Sequence, residues 1–578
     1  MRSESAETAA AVWARIGRQS WPPLRQALAY GLLANVLMFM PTVYMLEVYE
    51  RVLNSGSLPT LASLSVLAAG VYLVLAVIDW VRGEILYQAG RQAEAQLAPQ
   101  LFDRIFAAQL RRQVPPGMSS LQDLGALRSF SGSATALAVL DVPFALLVLL
   151  VLLAVHPLLA LTSLLAALLI ALTAWLTDRA TRAPLTRANG HLARAQQVAV
   201  GTIRQAPVVQ ALGMGAALEN RWQEHHQAYL RDQADASLSA GRGLAASKFI
   251  QTLQSSLLLG LGCWLTLQGQ LSASGSMMIV ASILGARALA PLTQVVTQWR
   301  QIVQVSLQWR QLQNTLAMPV IEQSQLPLPP PQGRLTAEQA SYALPGTGVS
   351  LIRNLQFALM PGSVLMVMGP SGAGKTTLAR LLVGLLACTQ GKIRLDGADI
   401  SRWRKDELGP SVGYLPQGIE LLDGTVADNI ARFAQPQPDK LQQAIDLAGL
   451  TELLEQLPQG LQTPVGVQGA FLSGGMRQRI ALARAVYGQP ALVVLDEPNS
   501  HLDSAGEQAL ARCLQQLREG GSTVVVISHR QSVLEQATHL MVVREGVMQA
   551  CGARDEVIQA LKKAYQQQAA APGGGRAA

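Results

Sequence analysis

Charge is scarce in this chain: only 14% of its 578 residues are Asp, Glu, Lys or Arg, against about a quarter in a soluble domain. Half of the residues are hydrophobic and the mean hydropathy is +0.25, which excludes intrinsic disorder and argues against a wholly soluble protein. Cysteine is nearly missing. Cys263, Cys388, Cys513 and Cys551 lie far apart with no Cys-x-x-Cys spacing, so neither a disulfide framework nor a finger-type zinc site is expected, and they read as space fillers. No short apolar core followed by a small-residue cleavage site opens the sequence, so no cleaved signal peptide is expected. The net charge of +8 is unevenly placed: residues 1–310 hold 23 basic and 15 acidic residues, and residues 311–578 hold 22 of each. The basic excess therefore lies in the oily half, and the balanced half has no surplus to counter phosphates, so nucleic-acid binding is not expected.

Long neutral runs are what the first half does have. A helix crossing the hydrocarbon of a bilayer needs about 20 residues free of charge. Four such runs occur, residues 26–46, 52–78, 142–177 and 249–286, of 21, 27, 36 and 38 residues. The last two are long enough for two spans each, the first broken at His156-Pro157 and the second in the Gly269-Gln270-Leu271-Ser272 region. Six spans result. Lys and Arg resist translocation, and they concentrate in the segment before span 1 (Arg2, Arg15, Arg18, Arg25) and in the connections 79–141 and 178–248. Both termini and both connections are expected in the cytoplasm, with span 1 as the targeting signal. The connections are rich in Ala, Gln, Leu and Arg and are expected to continue the spans as helices, turning near Pro115-Pro116-Gly117 and Gln205-Ala206-Pro207. A short helix near such a turn could touch a soluble domain.

The expected division is a cytoplasmic segment 1–25, a six-span domain 26–317, a Pro-rich linker 318–333, a nucleotide-binding domain 334–563 and a flexible tail 564–578. In the fourth of these, the apolar strand 364–368 leads into Gly369-Pro370-Ser371-Gly372-Ala373-Gly374-Lys375-Thr376-Thr377 and then a helical run. This is GxxxxGK[ST] in strand-loop-helix context: glycines let backbone N–H groups turn toward phosphates, Lys375 meets the β and γ phosphates, and the Thr376 hydroxyl binds Mg²⁺. A second buried strand ends in Asp496-Glu497. A hard cation beside phosphates needs an oxygen ligand, making Asp496 the Mg²⁺ candidate, and Glu497 is placed to polarise the attacking water. A third strand ends in Ser528-His529 at the same sheet edge.

Between these elements lie Tyr414-Leu415-Pro416-Gln417 and Leu472-Ser473-Gly474-Gly475-Met476-Arg477-Gln478-Arg479; Asn499-Ser500-His501-Leu502-Asp503 follows the carboxylates, and Tyr342 precedes the phosphate loop at a distance suited to stacking on adenine. In this order the set resembles the ATP-binding cassette of ABC transporters. The resemblance implies an all-α polytopic membrane domain plus an α/β P-loop cassette, with ATP and Mg²⁺ bound. It implies a homodimer in which Lys375, Thr376, Gln417 (a further Mg²⁺ ligand), Asp496, Glu497 and His529 of one copy face Ser473, Gly474 and Gly475 of the other, with Asp503 as a further nucleotide-binding residue. Two departures from the family pattern stand out. Met476 replaces the usual Gln, which puts coupling to the membrane helices in question, and Val465-Gly466-Val467-Gln468-Gly469 lacks the acidic residue usual in exporters.

Three strings of the membrane half resemble type I secretion exporters: Val48-Tyr49-Glu50-Arg51-Val52-Leu53-Asn54-Ser55-Gly56-Ser57 with Thr60-Leu61; Leu140-Asp141-Val142-Pro143-Phe144 with His156-Pro157, Phe144 standing for the usual Trp; and Ala211-Leu212-Gly213-Met214 with Arg221-Trp222. Taken singly, each can equally be a packing element. The resemblance implies ATP-driven export of unfolded polypeptides with C-terminal signals across the bacterial inner membrane, with a periplasmic adaptor and an outer-membrane channel as partners. Some members carry an N-terminal peptidase or peptidase-like domain; with only about 25 residues before span 1, none is expected here. Glu47, Glu50 and Arg51 at the outer end of span 1 are either interfacial or contacts for adaptor or cargo. Two alternatives share the cassette: a lipid or drug exporter, and a regulatory subunit that binds nucleotide with little turnover.

Overall fold

The computed structural model describes residues 9–110, 119–270, 276–318, 328–344, 348–466 and 469–570. The chain forms two compact units divided between Val320 and Ile321. The first turn signal, Pro115-Pro116-Gly117, lies outside the described residues, as do Val467, Gln468 and the last eight residues of the tail.

Among the described residues the first unit contains six helices long and apolar enough to cross a membrane: α1 (Trp13–Ser55), α2 (Leu58–Leu110), α3 (Ala134–Val155), α4 (Pro157–Arg204), α5 (Gly215–Leu267) and α6 (Met277–Thr297), followed by α7 (Trp299–Leu316). Their apolar windows are mostly unburied by the rest of the chain, from 11% of the window in α2 to 44% in α6. Leu146, Leu150 and Leu168 are each about 60% exposed, a pattern water does not tolerate and lipid does. Three helices run far past any bilayer: at 1.5 Å per residue the 53 residues of α2 and of α5 extend about 80 Å. Their polar halves are the expected extensions. Between α4 and α5 the chain reverses through the short helix Ala206–Ala211 and Gly213, whose φ of 64° is a left-handed turn.

Two charges lie inside spans that counting neutral residues ends too early. Residues 142–177 start beyond Asp141, yet α3 begins at Ala134; residues 249–286 stop before Arg287, yet α6 continues to Thr297. Asp141 is sheltered by a partner. Arg82 of α2 is fully buried and donates from Nη2 to Asp141 Oδ1 at 2.6 Å, from Nη1 to Asp79 Oδ1 at 3.3 Å and from Nε to the Ala27 carbonyl at 3.3 Å. Asn35 of α1 donates to the same Asp141 oxygen. Gly31 makes this possible, since a Cβ there would come 2.8 Å from Arg82 Nη2 and 3.2 Å from the Phe144 ring. The cluster ties three spans together. Removing one member of a buried ion pair destabilises by about 3–5 kcal/mol. Because Asp79 remains as a second partner, Asp141→Ala is expected near the low end, about 3 kcal/mol, seen as a fall in apparent Tm in nanodiscs. The paired Arg82→Met, Asp141→Leu change should recover most of it.

The second unit is a ten-stranded sheet in the order β5-β4-β1-β2-β10-β9-β3-β8-β7-β6. Its parallel part comprises β3 (Val364–Met368), β6 (Val412–Leu415), β7 (Leu492–Asp496), β8 (Thr523–Ile527) and β9 (His539–Arg544); β10 (Val547–Ala553) pairs antiparallel with β9. The arm of β1 (Leu335–Ala343), β2 (Ser350–Leu359), β4 (Gln390–Leu395) and β5 (Ala398–Asp399) is antiparallel. Strands β3, β7 and β8 are near-continuous hydrophobic runs because both faces are covered. Met366, Val493, Leu495 and Val526 enter one core while Val367, Val494, Val525 and Ile527 enter the other. Helix α8 (Lys375–Leu382) follows β3, α9 (Gly474–Val486) precedes β7 and α10 (Ser504–Glu519) follows it. The final helix, Arg554–Ala570, runs into the segment expected to fray.

Candidate functional site: the nucleotide-binding edge

Register in the parallel sheet puts Val367, Ile527, Asp496 and Leu415 nearly level, since Val367 pairs with Ile527, Ile527 with Asp496 and Leu415 with Leu495. The residues that follow each of them therefore emerge at one edge, the carboxyl ends where open parallel sheets bind ligands. They are the 369–374 loop, Glu497, Ser528-His529 and Pro416-Gln417.

The phosphate loop is shaped by two close approaches. A Cβ on Gly369 would lie 2.1 Å from the Val543 carbonyl, and Gly374, at φ 93°, would meet Leu351 O at 2.8 Å. No side chain fits either place. Ser371 and Gly372 are exposed at the loop's crest, Ala373 is buried beneath it, and Thr376 and Thr377 are half-buried in the first turn of α8. Lys375 is buried and folds back, its Nζ donating to the carbonyls of Gly369 at 2.6 Å and Pro370 at 2.9 Å. Tyr342 on β1 stands opposite Ile352 of β2, whose side chain lies against Gly374, so it sits one strand from the loop.

Asp496 is buried at the end of β7, with the Thr376 hydroxyl near its carboxyl. Burial pushes its carboxyl above the usual carboxylate range; the Thr376 hydroxyl, Lys375 and Arg380 pull the other way, and Glu497 adds to the rise. Its Oδ2 is buried and has no hydrogen-bond partner among the described residues. A buried carboxylate oxygen left open beside a hydroxyl and a phosphate loop is what a hard cation requires. Glu497 adopts φ 50°, an unusual conformation for a side chain of this size. Its N–H donates to the Ile527 carbonyl at 2.9 Å, and its carboxylate accepts from Gln417 Nε2 at 3.1 Å. His529 is exposed on the adjacent strand end.

Ser473 caps α9, its hydroxyl accepting from Met476 N–H at 3.3 Å. Among the described residues, Gly474 and Gly475 face His501: a Cβ on either would come within 3.5 Å of it. These small residues leave the helix N-terminus open, and the contacts they make within the chain are not with the phosphate loop. Asp503 is engaged locally, accepting from Gly506 N–H and from Arg479, both at 2.8 Å, and the Gly506 bond foremost holds its carboxyl below the usual range. Met476 packs its side chain against the larger core.

One positioning residue has no role assigned from sequence. Gln478 is fully buried on α9, and its Nε2 donates to the Pro498 carbonyl at 2.6 Å and the Glu497 carbonyl at 3.4 Å. A signal was available: an amide on the face shared with Ala481, Leu482 and Ala485 must find partners. It braces the backbone of Glu497 from the side of the signature helix.

Comparison with known proteins agrees with this geometry. Residues 352–500 match the ABC transporter family and residues 27–286 the ABC transporter transmembrane region. The type I secretion system ATP-binding protein PrsD of Rhizobium meliloti is 36% identical over 91% of this chain and 90% of its own length. The toxin RTX-I translocation ATP-binding protein of Actinobacillus pleuropneumoniae is 26% identical over 92% of this chain and 76% of its own. A bacterial Atm1-family ABC exporter solved with ATP bound shares the fold, with TM-score 0.82 over 96% of this chain and 99% of that one at 22% identity. Six spanning helices and an ATP-hydrolysing cassette on one polypeptide thus place the chain among the ABC exporters, in the family of type I secretion ATP-binding proteins.

Proposed function

We propose that this chain is the inner-membrane engine of a type I secretion system, a homodimer that uses ATP to drive unfolded polypeptides with C-terminal signals out of the cell. A periplasmic adaptor and an outer-membrane channel complete the route. The observation that carries the reading is 36% identity to a type I secretion protein across nine tenths of both chains, spanning membrane half and cassette alike. The translocation of a toxin named for the RTX-I relative points to polypeptide cargo. Basic residues in the polar extensions orient both termini to the cytoplasm.

At the sheet edge, the N–H groups of 369–377 and Lys375 hold the phosphates, Tyr342 stacks on adenine, and Glu497 takes the proton of the attacking water while Gln417 and the Gln478-braced backbone hold it in place. His529 stabilises charge from the neighbouring strand. Asp496, Thr376 and Gln417 fit Mg²⁺, which when bound neutralises charge on the transferring phosphoryl group. Ser473, Gly474, Gly475 and Asp503 of a second copy close the site from the far side, with the start of α9 as an anion-binding helix terminus.

The test is to delete the gene and compare the polypeptides in the medium by mass spectrometry, in cells with and without the adaptor. Loss of the same few secreted polypeptides in both deletions is expected. An unchanged medium with altered membrane lipids would favour a lipid exporter. Equal, slow hydrolysis by wild type and Glu497→Gln would favour a regulatory subunit.

A further inference from the structure

Arg287 is the eleventh residue of the 21 in α6, at mid-span. The helix has two unlike faces. Ala281, Leu284, Ala288 and Val296 are buried, whereas Arg287, Ala290, Gln294 and Thr297 recur every three or four residues along a face on which the last three are exposed and Arg287 is half-buried. Among the described residues no carboxylate pairs with Arg287; the group in electrostatic reach is Tyr72 of α2. Pro291 stands one turn further on in the same helix. It has no N–H, so the carbonyl of Arg287, four residues earlier, lacks its helical donor. One residue at mid-membrane depth thus presents a guanidinium with no carboxylate partner among the described residues and a carbonyl without its regular helical donor.

Neither group is stable against lipid, and intramembrane cations face a bundle interior or a water-filled path. We propose that Arg287 is a carboxylate-recognising station on the translocation path, where its guanidinium takes Asp and Glu side chains of the passing polypeptide and its carbonyl accepts a backbone N–H. This rests on the polypeptide-export reading above. A guanidinium fork suits the task because it binds carboxylates bidentately and stays charged at any working pH. Two helical turns on, Gln294 offers an amide that can donate to and accept from a peptide backbone whatever its sequence. The pair lies about 10 Å apart along α6, the length of about three residues of extended chain.

The test uses the full-length protein in lipid nanodiscs and two labelled, unstructured Gly/Ser-rich peptides, one bearing Asp at intervals and the other Asn at the same places. Wild type is expected to prefer the Asp peptide by about tenfold, Arg287→Lys to keep part of the preference, and Arg287→Gln to bring it to about one. Basal ATP hydrolysis by Arg287→Gln should match wild type, showing that the variant is folded. If Arg287→Gln keeps the Asp preference, or wild type binds both peptides equally, the station is wrong and the export reading stands. Binding of neither peptide would also overturn the station, while the export reading is tested separately by the secreted polypeptides of the deletion strains. In a cysteine-free background, R287C should react with a charged thiol reagent in at least one nucleotide state. A residue covered by a second copy of the chain would stay unreactive throughout, and that result too would overturn the station.

Discussion

Glu497→Gln is expected to lower ATP hydrolysis by about 10²- to 10⁴-fold, the usual share of a general base, while ATP affinity changes little. The backbone around residue 497 is held from three sides: its N–H by Ile527, its carbonyl by Gln478, and the next carbonyl, of Pro498, by Gln478 again. Glutamine has the same shape and retains a carbonyl oxygen to accept from Gln417, which now bonds the carboxylate at 3.1 Å. Only the capacity to take a proton is removed. A variant hydrolysing within about threefold of wild type would move the base elsewhere, and His529 on the adjacent strand end would be the first candidate.

Ser473→Arg should also abolish turnover, by about a hundredfold, which is the effect of losing donors aimed at a developing charge. Ser473 is exposed and caps α9, so the fold tolerates the change apart from a lost cap of about 1 kcal/mol. What the long side chain does is fill the space that Ser473, Gly474 and Gly475 keep open over the helix terminus. ATP should still bind to the 369–377 loop of the same chain. Wild-type turnover in the variant would mean that the signature loop takes no part in the reaction, and loss of ATP binding would mean that it serves the loop of its own chain.

The nucleotide edge was legible in the sequence because its chemistry is local: a loop, two carboxylates and a histidine each sit directly after a short apolar strand, and parallel strands deliver their ends to one edge. The six spans were legible as neutral runs. Arg287 and Asp141 escaped because a count of neutral residues treats any charge as the end of a span, while the fold shelters one in the Arg82 cluster and leaves the other on the exposed face of α6. Gln478, and the bond between Arg479 and Asp503, depend on partners 19 to 24 residues away that no local pattern announces. The three membrane-half strings gained local structure. Val48–Val52 forms a π-helical turn in which Arg51 meets Glu47 at 3.5 Å, His156 caps α4 by accepting from Leu158 N–H, and Gly213 makes the turn before α5, where Trp222 stacks on His226.

The central claim, that each ATP is held between two copies of the chain, is tested most directly by mixing two inactive variants. In a dimer of one Glu497→Gln copy and one Ser473→Arg copy, both defects fall in one composite site and leave the other intact. Random pairing makes half of the dimers mixed, so an equal mixture should regain about a quarter of wild-type hydrolysis although each variant alone is inactive. If hydrolysis stays at the level of the separate variants in a mixture shown by differential tagging to contain mixed dimers, the site is not shared and the account is wrong.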